Sequence, residues 1–143
     1  MAHYVATVRS PWAAAKAFDY LSDFRNFTEW DPGVTESKII HGEKPGPGTV
    51  YAVTVKKAVL DYETLTHRPP EQVVIEGTSR FFYSYDVLDI TDTADGCDVR
   101  YDATLKLRSF AAILNPLLGL YFDRLGDPAA AGLATALDGT QIA

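Results

Sequence analysis

The sequence predicts an α+β domain in which an antiparallel sheet wraps a long C-terminal helix, and three observations carry this prediction. Residues 34–108 hold runs of β-branched and aromatic residues separated by turn signals, which is typical of antiparallel strands. A short helical pattern precedes this region, and a longer one follows it from residue 116. The length favours a single domain over residues 1–143, because domains usually contain roughly 100–200 residues.

The first residues predict a strand and then an amphipathic helix. Val5 and Val8 are β-branched residues within a strand over residues 4–8. Ser10 and Pro11 then predict a helix N-cap and a proline in the first turn. The helix is expected to end near Asp23, and its buried face consists of apolar residues at helical spacing, namely Ala14, Ala17, Phe18 and Leu21.

A segment with an aromatic residue at every third position follows this helix. Phe24, Phe27 and Trp30 precede Pro32 and Gly33, which close the segment. This spacing predicts one or two short helical turns whose rings point the same way. The rings either plug the core or form the mouth of a cavity, since large aromatic residues serve both purposes.

Residues 34–108 predict five or six strands. The segment GEKPGPG at residues 42–48 predicts a hairpin connection rather than a phosphate-binding loop, because prolines lack the backbone donor. In the last strand apolar residues alternate with polar ones, so one face is buried. The inward residues of this strand are Val99, Tyr101, Ala103, Leu105 and Leu107, and those of the middle strands are Tyr51, Val53, Val55, Val73 and Ile75.

The C-terminal helix is predicted from Pro116 to about Leu137, with Asn115 as its N-cap. Gly126, Asp127 and Pro128 interrupt the helical pattern, and they predict a bend or a restart because proline removes a backbone donor. The apolar stripe of this helix consists of Leu118, Phe122, Leu125, Ala129 and Leu133.

The charge and the cysteine content exclude several classes of protein. Acidic residues outnumber basic ones by 19 to 13, which gives a net charge of -6 and argues against nucleic acid as a partner. The longest apolar stretch, residues 110–122, is interrupted by Asn115 and Pro116 and is shorter than the roughly 20 residues of a membrane span. Cys97 is the only cysteine, so no intrachain disulfide forms. With no signal peptide evident in the first residues, a cytoplasmic location is expected.

The residues that could carry chemistry form no recognisable catalytic or metal-binding motif. His3, His41 and His67 are separated by whole predicted elements, so neither a metal nor a cofactor is expected. Cys97 follows an acidic turn that disfavours the thiolate, which makes it a structural cysteine. Strand alternation with Tyr85 and Val87 inward turns Asp86 outward, away from any site. Two arginines, Arg80 and Arg124, are candidates for polarising a ketone or holding a carboxylate, although most arginines are solvated.

Both ends of the chain resemble a known superfamily. The opening VRSPWAAAKAFDYLSDFRNFTEWDPGV is similar to the motif of the START-like (SRPBCC, Bet v 1-like) superfamily. The segments SYDVLDITDTADGCDVRYDATLKL and LLGLYFDRLGDPAAAGLATAL resemble its bacterial polyketide cyclase/dehydrase-like branch. These motifs are structural, so they are specific for the fold and weak for the function. The resemblance implies a helix-grip fold, in which a curved antiparallel sheet holds a long helix and an apolar cavity lies between them.

We expect the protein to bind a small hydrophobic ligand, such as a lipid or a polyketide, in that cavity. The tyrosines placed on the concave face either fill the core or orient a ligand through their hydroxyls. One alternative is an aromatase/cyclase or dehydratase, in which a Tyr or Arg acts on a polyketide-like substrate; another is a protein-interaction or chaperone module with an unknown partner. The candidate ligand-binding residues are Phe27, Trp30, Tyr51, Val53, Val55, Tyr62, Ile75, Tyr83, Tyr85, Tyr101, Leu118, Phe122 and Leu125.

Overall fold

A computed structural model describes residues 2–143, without the side chains of residues 110 and 118–125. Eight strands form one antiparallel sheet in the order β2-β3-β4-β5-β6-β7-β1-β8. The strands are β1 (Ala2–Ser10), β2 (Val34–His41), β3 (Val50–Val55), β4 (Ala58–Arg68), β5 (Gln72–Thr78), β6 (Phe82–Thr93), β7 (Gly96–Leu107) and β8 (Thr140–Gln141). The helices are α1 (Ala14–Leu21), α2 (Phe27–Trp30) and α3 (Asn115–Ala136), with 3-10 turns at Phe24–Asn26 and Ser109–Leu114.

The six strands from β2 to β7 form a meander, which confirms the strand pattern predicted for residues 34–108. The two longest strands, β6 and β7, pair from Phe82 with Leu107 to Thr93 with Gly96. Strand β1 pairs antiparallel with β7 along its whole length. Strands β6, β7 and β1 are therefore neighbours in one half of the sheet, and α1 and α3 pack against them.

The start of α1 differs from the prediction. Ser10 still belongs to β1, where it pairs with Cys97, and the N-cap position is taken by Ala13, so Ser10 lies too far before the helix to cap it. Its hydroxyl instead accepts a 3.0 Å hydrogen bond from the Trp12 amide and donates a 2.7 Å bond to the carbonyl of Leu137. The helix begins at Ala14 and has no side-chain cap. The two short turns predicted for residues 24–30 are confirmed.

The long C-terminal helix is present, but Asn115 is not its N-cap. The 3-10 turn before α3 gives Asn115 a helical backbone, so its side chain is free to bond elsewhere. It accepts a 2.9 Å hydrogen bond from the Leu107 amide and donates a 3.2 Å bond to the Leu107 carbonyl. The helix does not restart at Pro128, which lies inside an unbroken α3.

The core lies between the sheet and the helices, in the α+β helix-grip arrangement. The helix α3 contacts β1, β7 and α2. Gly132 allows the closest approach, since a β-carbon there would lie 1.9 Å from the carbonyl oxygen of Trp30. Ala129 and Leu133 of the predicted apolar stripe are buried at this contact. The segment from α2 to β2 is thereby held against the same side of the sheet as α3.

Candidate ligand-binding site

A cavity of about 110 Å³, called the inner cavity below, lies between the sheet, the end of α2 and α3. Strands β4, β6 and β7 form its floor, and Gly126 and Ala129 face it from α3. The volume is several times the roughly 10–15 Å³ that one water molecule needs. The inner cavity is lined by Phe27, Asp31, Gly33, Val34, Val55, Lys56, Tyr62, Ser84, Asp86, Tyr101, Ala103, Leu105, Gly126 and Ala129.

Aromatic rings in edge-to-face contact form the walls of the inner cavity. The rings of Phe27 and Tyr62 have centroids 5.9 Å apart and planes at 85°. Behind them Trp30 packs on Phe27 at 4.8 Å and on Tyr101 at 5.6 Å. A β-carbon at Gly77 would lie 2.5 Å from the Tyr62 ring, so the ring occupies the space above the strand next to it. These contacts fix the orientation of the rings around the cavity.

The carboxyl group of Asp86 lies on the floor of the inner cavity, which corrects the outward orientation predicted from the sequence. Asp86 is only 3% exposed, whereas Tyr85 is 36% exposed. The prediction was wrong because it assigned the inner face of β6 to its aromatic residues. In the structure the inward positions are those of Ser84, Asp86, Leu88 and Ile90.

Asp86 has no basic partner within ion-pair distance among the described residues. Its Oδ1 accepts a 2.9 Å hydrogen bond from the Ser84 hydroxyl. Burial raises the pKa of the Asp86 carboxyl to about 7; the Ser84 bond opposes this rise, and the nearby charges of Asp31 and Asp102 add to it. Asp86 therefore exchanges between its neutral and its ionised form near neutral pH.

The phenols of Tyr62 and Tyr101 stay protonated beside Asp86. Burial raises the pKa of both groups, and the charge of Asp86 raises it further. A protonated phenol both donates and accepts a hydrogen bond. Together with Ser84 and Asp86, the two phenols make one side of the inner cavity polar, while Val34, Ala103 and Leu105 keep the rest apolar.

A strained turn and a half-buried acid lie at the edge of the inner cavity. Lys56 and Lys57, which connect β3 and β4, have φ angles of 47° and 73°, in the left-handed region that favours glycine. Asp31 accepts a 2.9 Å bond from the Gly33 amide. Burial raises the pKa of Asp31, whereas the Gly33 bond and the charge of Lys56 oppose the rise. Asp31 is thus partly balanced by a cation, whereas no cation among the described side chains acts on Asp86 in this way.

A second and larger space, called the outer cavity below, adjoins the inner one. Its volume is about 320 Å³. The two cavities share Val55, Lys56, Tyr62 and Leu105. The described residues that line the outer cavity are Val55, Lys56, Ala58, Leu60, Tyr62, Phe82 and Leu105, and Lys56 is the charged one among them. An elongated molecule could therefore lie with one end in each cavity.

The structure brings some of the predicted site residues together and separates others. Phe27, Val55, Tyr62 and Tyr101 line the inner cavity, as the ligand-binding prediction requires. The side chains of Leu118, Phe122, Leu125 and Arg124 lie outside the described residues. Arg80 is exposed. The remaining buried candidates belong to the core and do not line either cavity; they are Trp30, Tyr51, Val53 and Ile75.

The inward placement of Tyr83 and Tyr85 is wrong. Both residues lie on the outer face of β6, where the Tyr83 hydroxyl donates a 2.7 Å bond to Glu76. The sequence did contain evidence for the observed orientation. Leu88 and Ile90 follow Asp86 by two and four residues, so in a strand these apolar side chains lie on the same face as Asp86. The sequence offered no comparable signal for Asp31, Lys56 and Gly126, which reach the inner cavity from a loop, a turn and a helix.

Cys97 is a structural residue, as the sequence predicts. It lies in β7, where it is fully buried. Burial and the charges of Asp92 and Asp98 raise the pKa of its thiol, which disfavours the nucleophilic thiolate. It does not line either cavity.

Comparisons with known proteins identify a family and a fold. The family described as "Polyketide cyclase / dehydrase and lipid transport" matches residues 1–138. No curated protein matches the chain. Within the described residues, no helix has the length and the apolar character to cross a membrane.

Solved structures of low sequence identity share the fold. A START superfamily protein from Mycobacterium smegmatis is 14% identical with a TM-score of 0.72, over 95% of this chain and 97% of its own. A protein from Thermobifida fusca is 20% identical with a TM-score of 0.67, over 94% and 91%. The di-domain ARO/CYC StfQ from the steffimycin biosynthetic pathway is 15% identical with a TM-score of 0.69, over 94% and 49%.

Proposed function

We propose that this chain, which belongs to the polyketide cyclase / dehydrase and lipid transport family, binds a small, mostly apolar molecule between the sheet and α3. The observation that carries the proposal is the inner cavity, which is lined by aromatic rings and shares lining residues with the outer cavity. Concave apolar spaces with a few convergent polar groups are typical of small-molecule sites.

The inner and outer cavities bind different parts of the ligand. The outer cavity, with Leu60, Phe82 and Leu105 in its lining, takes an apolar body. The inner cavity takes a polar end, because Ser84, Asp86, Tyr62 and Tyr101 offer hydrogen bonds there. We extend the contacts to Leu118, Phe122 and Leu125, which the helical periodicity places on the same stripe as Ala129.

Ligand extraction tests this function. Native mass spectrometry of the purified protein, together with thermal-shift screening of fatty acids, sterols, quinones and aromatic polyketides, is expected to find a ligand that raises the melting temperature. The variant Ala103→Phe places a ring in the inner cavity, and it is expected to abolish that shift while the fold is retained. Thr104→Phe, on the outer face of the same strand, is the matched control.

Two outcomes contradict the proposal. One is the absence of any bound or stabilising compound across the whole set. The other is an equal ligand-induced shift in Ala103→Phe and in the control, because filling the inner cavity must then be irrelevant to binding.

Acid–base catalysis on a polyketide-like substrate is a second candidate, and one observation favours it. From the sequence no inward carboxylate was expected, whereas Asp86 lies in the cavity beside two phenols. A carboxyl group with a pKa near 7 suits proton transfer at neutral pH. Turnover of a model poly-β-ketone that is lost in Asp86→Asn, with the ligand still bound, supports this candidate; turnover that persists in Asp86→Asn contradicts it.

A further inference from the structure

We propose that the inner cavity binds the ammonium group of an apolar amine or quaternary ammonium ligand, with Asp86 as its counterion and the rings of Phe27, Tyr62 and Tyr101 around it. This inference rests on the proposed function, because it names the polar end of the molecule that the two cavities hold.

Among the residues whose side chains the structure describes, no cation forms an ion pair with the carboxylate of Asp86. Its carboxyl group is 3% exposed, and the single hydrogen bond it accepts from a side chain comes from the neutral Ser84. A buried carboxylate without a cation is costly, and a cationic ligand would remove that cost.

Aromatic rings line the inner cavity around Asp86. Phe27, Tyr62 and Tyr101 all line the same 110 Å³ space as Asp86. The faces of aromatic rings attract cations, and cages of aromatic residues are a common means of binding quaternary ammonium groups. An alkylammonium group therefore contacts both a counterion and aromatic rings that attract cations. A metal ion would have to give up its hydration water on entering, and apolar surfaces supply no ligands to replace that water.

Other charge types fit the inner cavity less well. An anionic group would be repelled by Asp86 and by Asp31, which line the cavity together. Lys56 is exposed at the edge, where its charge already acts on Asp31. A neutral carbonyl can accept hydrogen bonds from the phenols but gains nothing from an ionised Asp86. An ammonium group is thus attracted both by the carboxylate of Asp86 and by the aromatic rings.

The affinity for such a cation must depend on pH through Asp86. A cation stabilises the ionised form, so binding tightens as the pH rises through about 7 and then levels off. The titratable groups that interact with Asp86 come from several elements: Asp31 after α2, Tyr62 of β4, and Tyr101 and Asp102 of β7. One step further out, Lys56 in the β3–β4 turn acts on Asp31, and Tyr4 of β1, with its partner Asp127 of α3, acts on Tyr101.

A matched pair of ligands tests the inference. Phenyltrimethylammonium and its uncharged carbon isostere tert-butylbenzene have almost the same shape, so a difference in their affinities reports the charge. Calorimetric or NMR titration of the wild-type protein at pH 8 is expected to show at least about tenfold tighter binding of the ammonium, equivalent to the worth of one good charged contact. Asp86→Asn is expected to remove most of this preference, and Asp61→Asn, an exposed acid on β4, is expected to keep it.

The pH series provides a measurement that needs no variant. In the wild-type protein the ammonium is expected to bind about tenfold more weakly at pH 5.5 than at pH 8, while tert-butylbenzene does not gain affinity over the same range. Equal affinities for the two compounds, or an ammonium preference that survives in Asp86→Asn, would overturn the inference and leave the proposed function standing. Tighter binding of an isosteric ketone would also overturn it, and would favour catalysis on a carbonyl. Binding of none of these probes overturns the inference too, and the proposed function then depends on the wider ligand screen.

Discussion

The phenol of Tyr4 donates a 2.8 Å hydrogen bond to Oδ1 of Asp127, which ties the first strand to the middle of α3. The ring of the same tyrosine lies over Gly126, where a β-carbon would stand 2.5 Å from it. One side chain on β1 therefore fixes both the distance and the position of the long helix beside the inner cavity.

The contact between Tyr4 and Gly126 predicts that Gly126→Ala destabilises the protein. The added methyl group must displace the Tyr4 ring, at a cost of about 1–3 kcal/mol, which outweighs the roughly 1 kcal/mol that alanine gains over glycine in a helix. Chemical denaturation measures the difference. In a Tyr4→Ala background the same substitution is expected to stabilise, since the ring is gone; destabilisation by the same amount in both backgrounds would contradict the contact.

Gly132→Ala is expected to be the more damaging helix substitution. Its β-carbon would lie 1.9 Å from the backbone oxygen of Trp30, and a backbone atom cannot move aside as a side chain can. We expect a loss of at least about 3 kcal/mol in the free energy of unfolding, together with a changed fluorescence of the buried Trp30. Gly46→Ala, where nothing lies within 4 Å of the new carbon, is the control and should be nearly neutral. Similar unfolding curves for the two variants would contradict the close packing of α3 on α2.

Asn115 is expected to hold the start of α3 to the end of β7 through both hydrogen bonds with Leu107. Asn115→Ala removes both bonds and should lower the free energy of unfolding by about 1–2 kcal/mol. Asn115→Asp keeps an acceptor for the Leu107 amide but sets a carboxylate oxygen against the Leu107 carbonyl, so it is expected to destabilise the protein as well, and more at high pH than at low pH. Amide hydrogen exchange at Leu107 provides the local readout. A protected Leu107 amide in Asn115→Ala would contradict the role of this side chain.

The secondary structure was largely predictable from the sequence, because strand and helix periodicity is a local property. The alternation from Val99 to Leu107 and the helical tract after Pro116 both produced the expected elements. The helix caps were not predictable. Ser10 and Asn115 have the residue types of N-caps, yet both bond to distant parts of the chain, Leu137 and Leu107. Tertiary contacts thus determined what these polar side chains do.

The candidate site was only half predictable, for a related physical reason. Aromatic residues of β6 looked like core, so Tyr83 and Tyr85 were assigned inward, and the polar Asp86 was assigned outward. In the structure Tyr83 instead donates to Glu76 across the outer face of the sheet. A cavity reverses the usual rule that buried positions are apolar, because it can accommodate a carboxyl group that a filled core would exclude.

The buried carboxyl group of Asp86 predicts that stability falls as the pH rises. In the unfolded chain the group titrates near its usual value of 3.8, whereas in the folded protein its pKa is about 7. Between these values the folded state binds more protons than the unfolded state, so the contribution of Asp86 to stability is fully present below pH 4 and is lost by about pH 7. The difference in pKa corresponds to a loss on the order of 4 kcal/mol.

Asp86→Asn isolates this contribution, because every other titrating group is common to the variant and the wild-type protein. The free energy of unfolding, measured with urea at intervals from pH 4 to pH 8, is expected to fall less steeply in the variant. The free energy of unfolding of Asp86→Asn, relative to that of the wild-type protein, should therefore increase as the pH rises, and this increase should level off above about pH 7. Asp61→Asn, which removes an exposed carboxylate from β4, is expected to run parallel to the wild-type curve. If the Asp86→Asn curve also ran parallel, Asp86 would be ionised in the folded protein throughout this range, and a partner for its charge would have to exist within the protein itself.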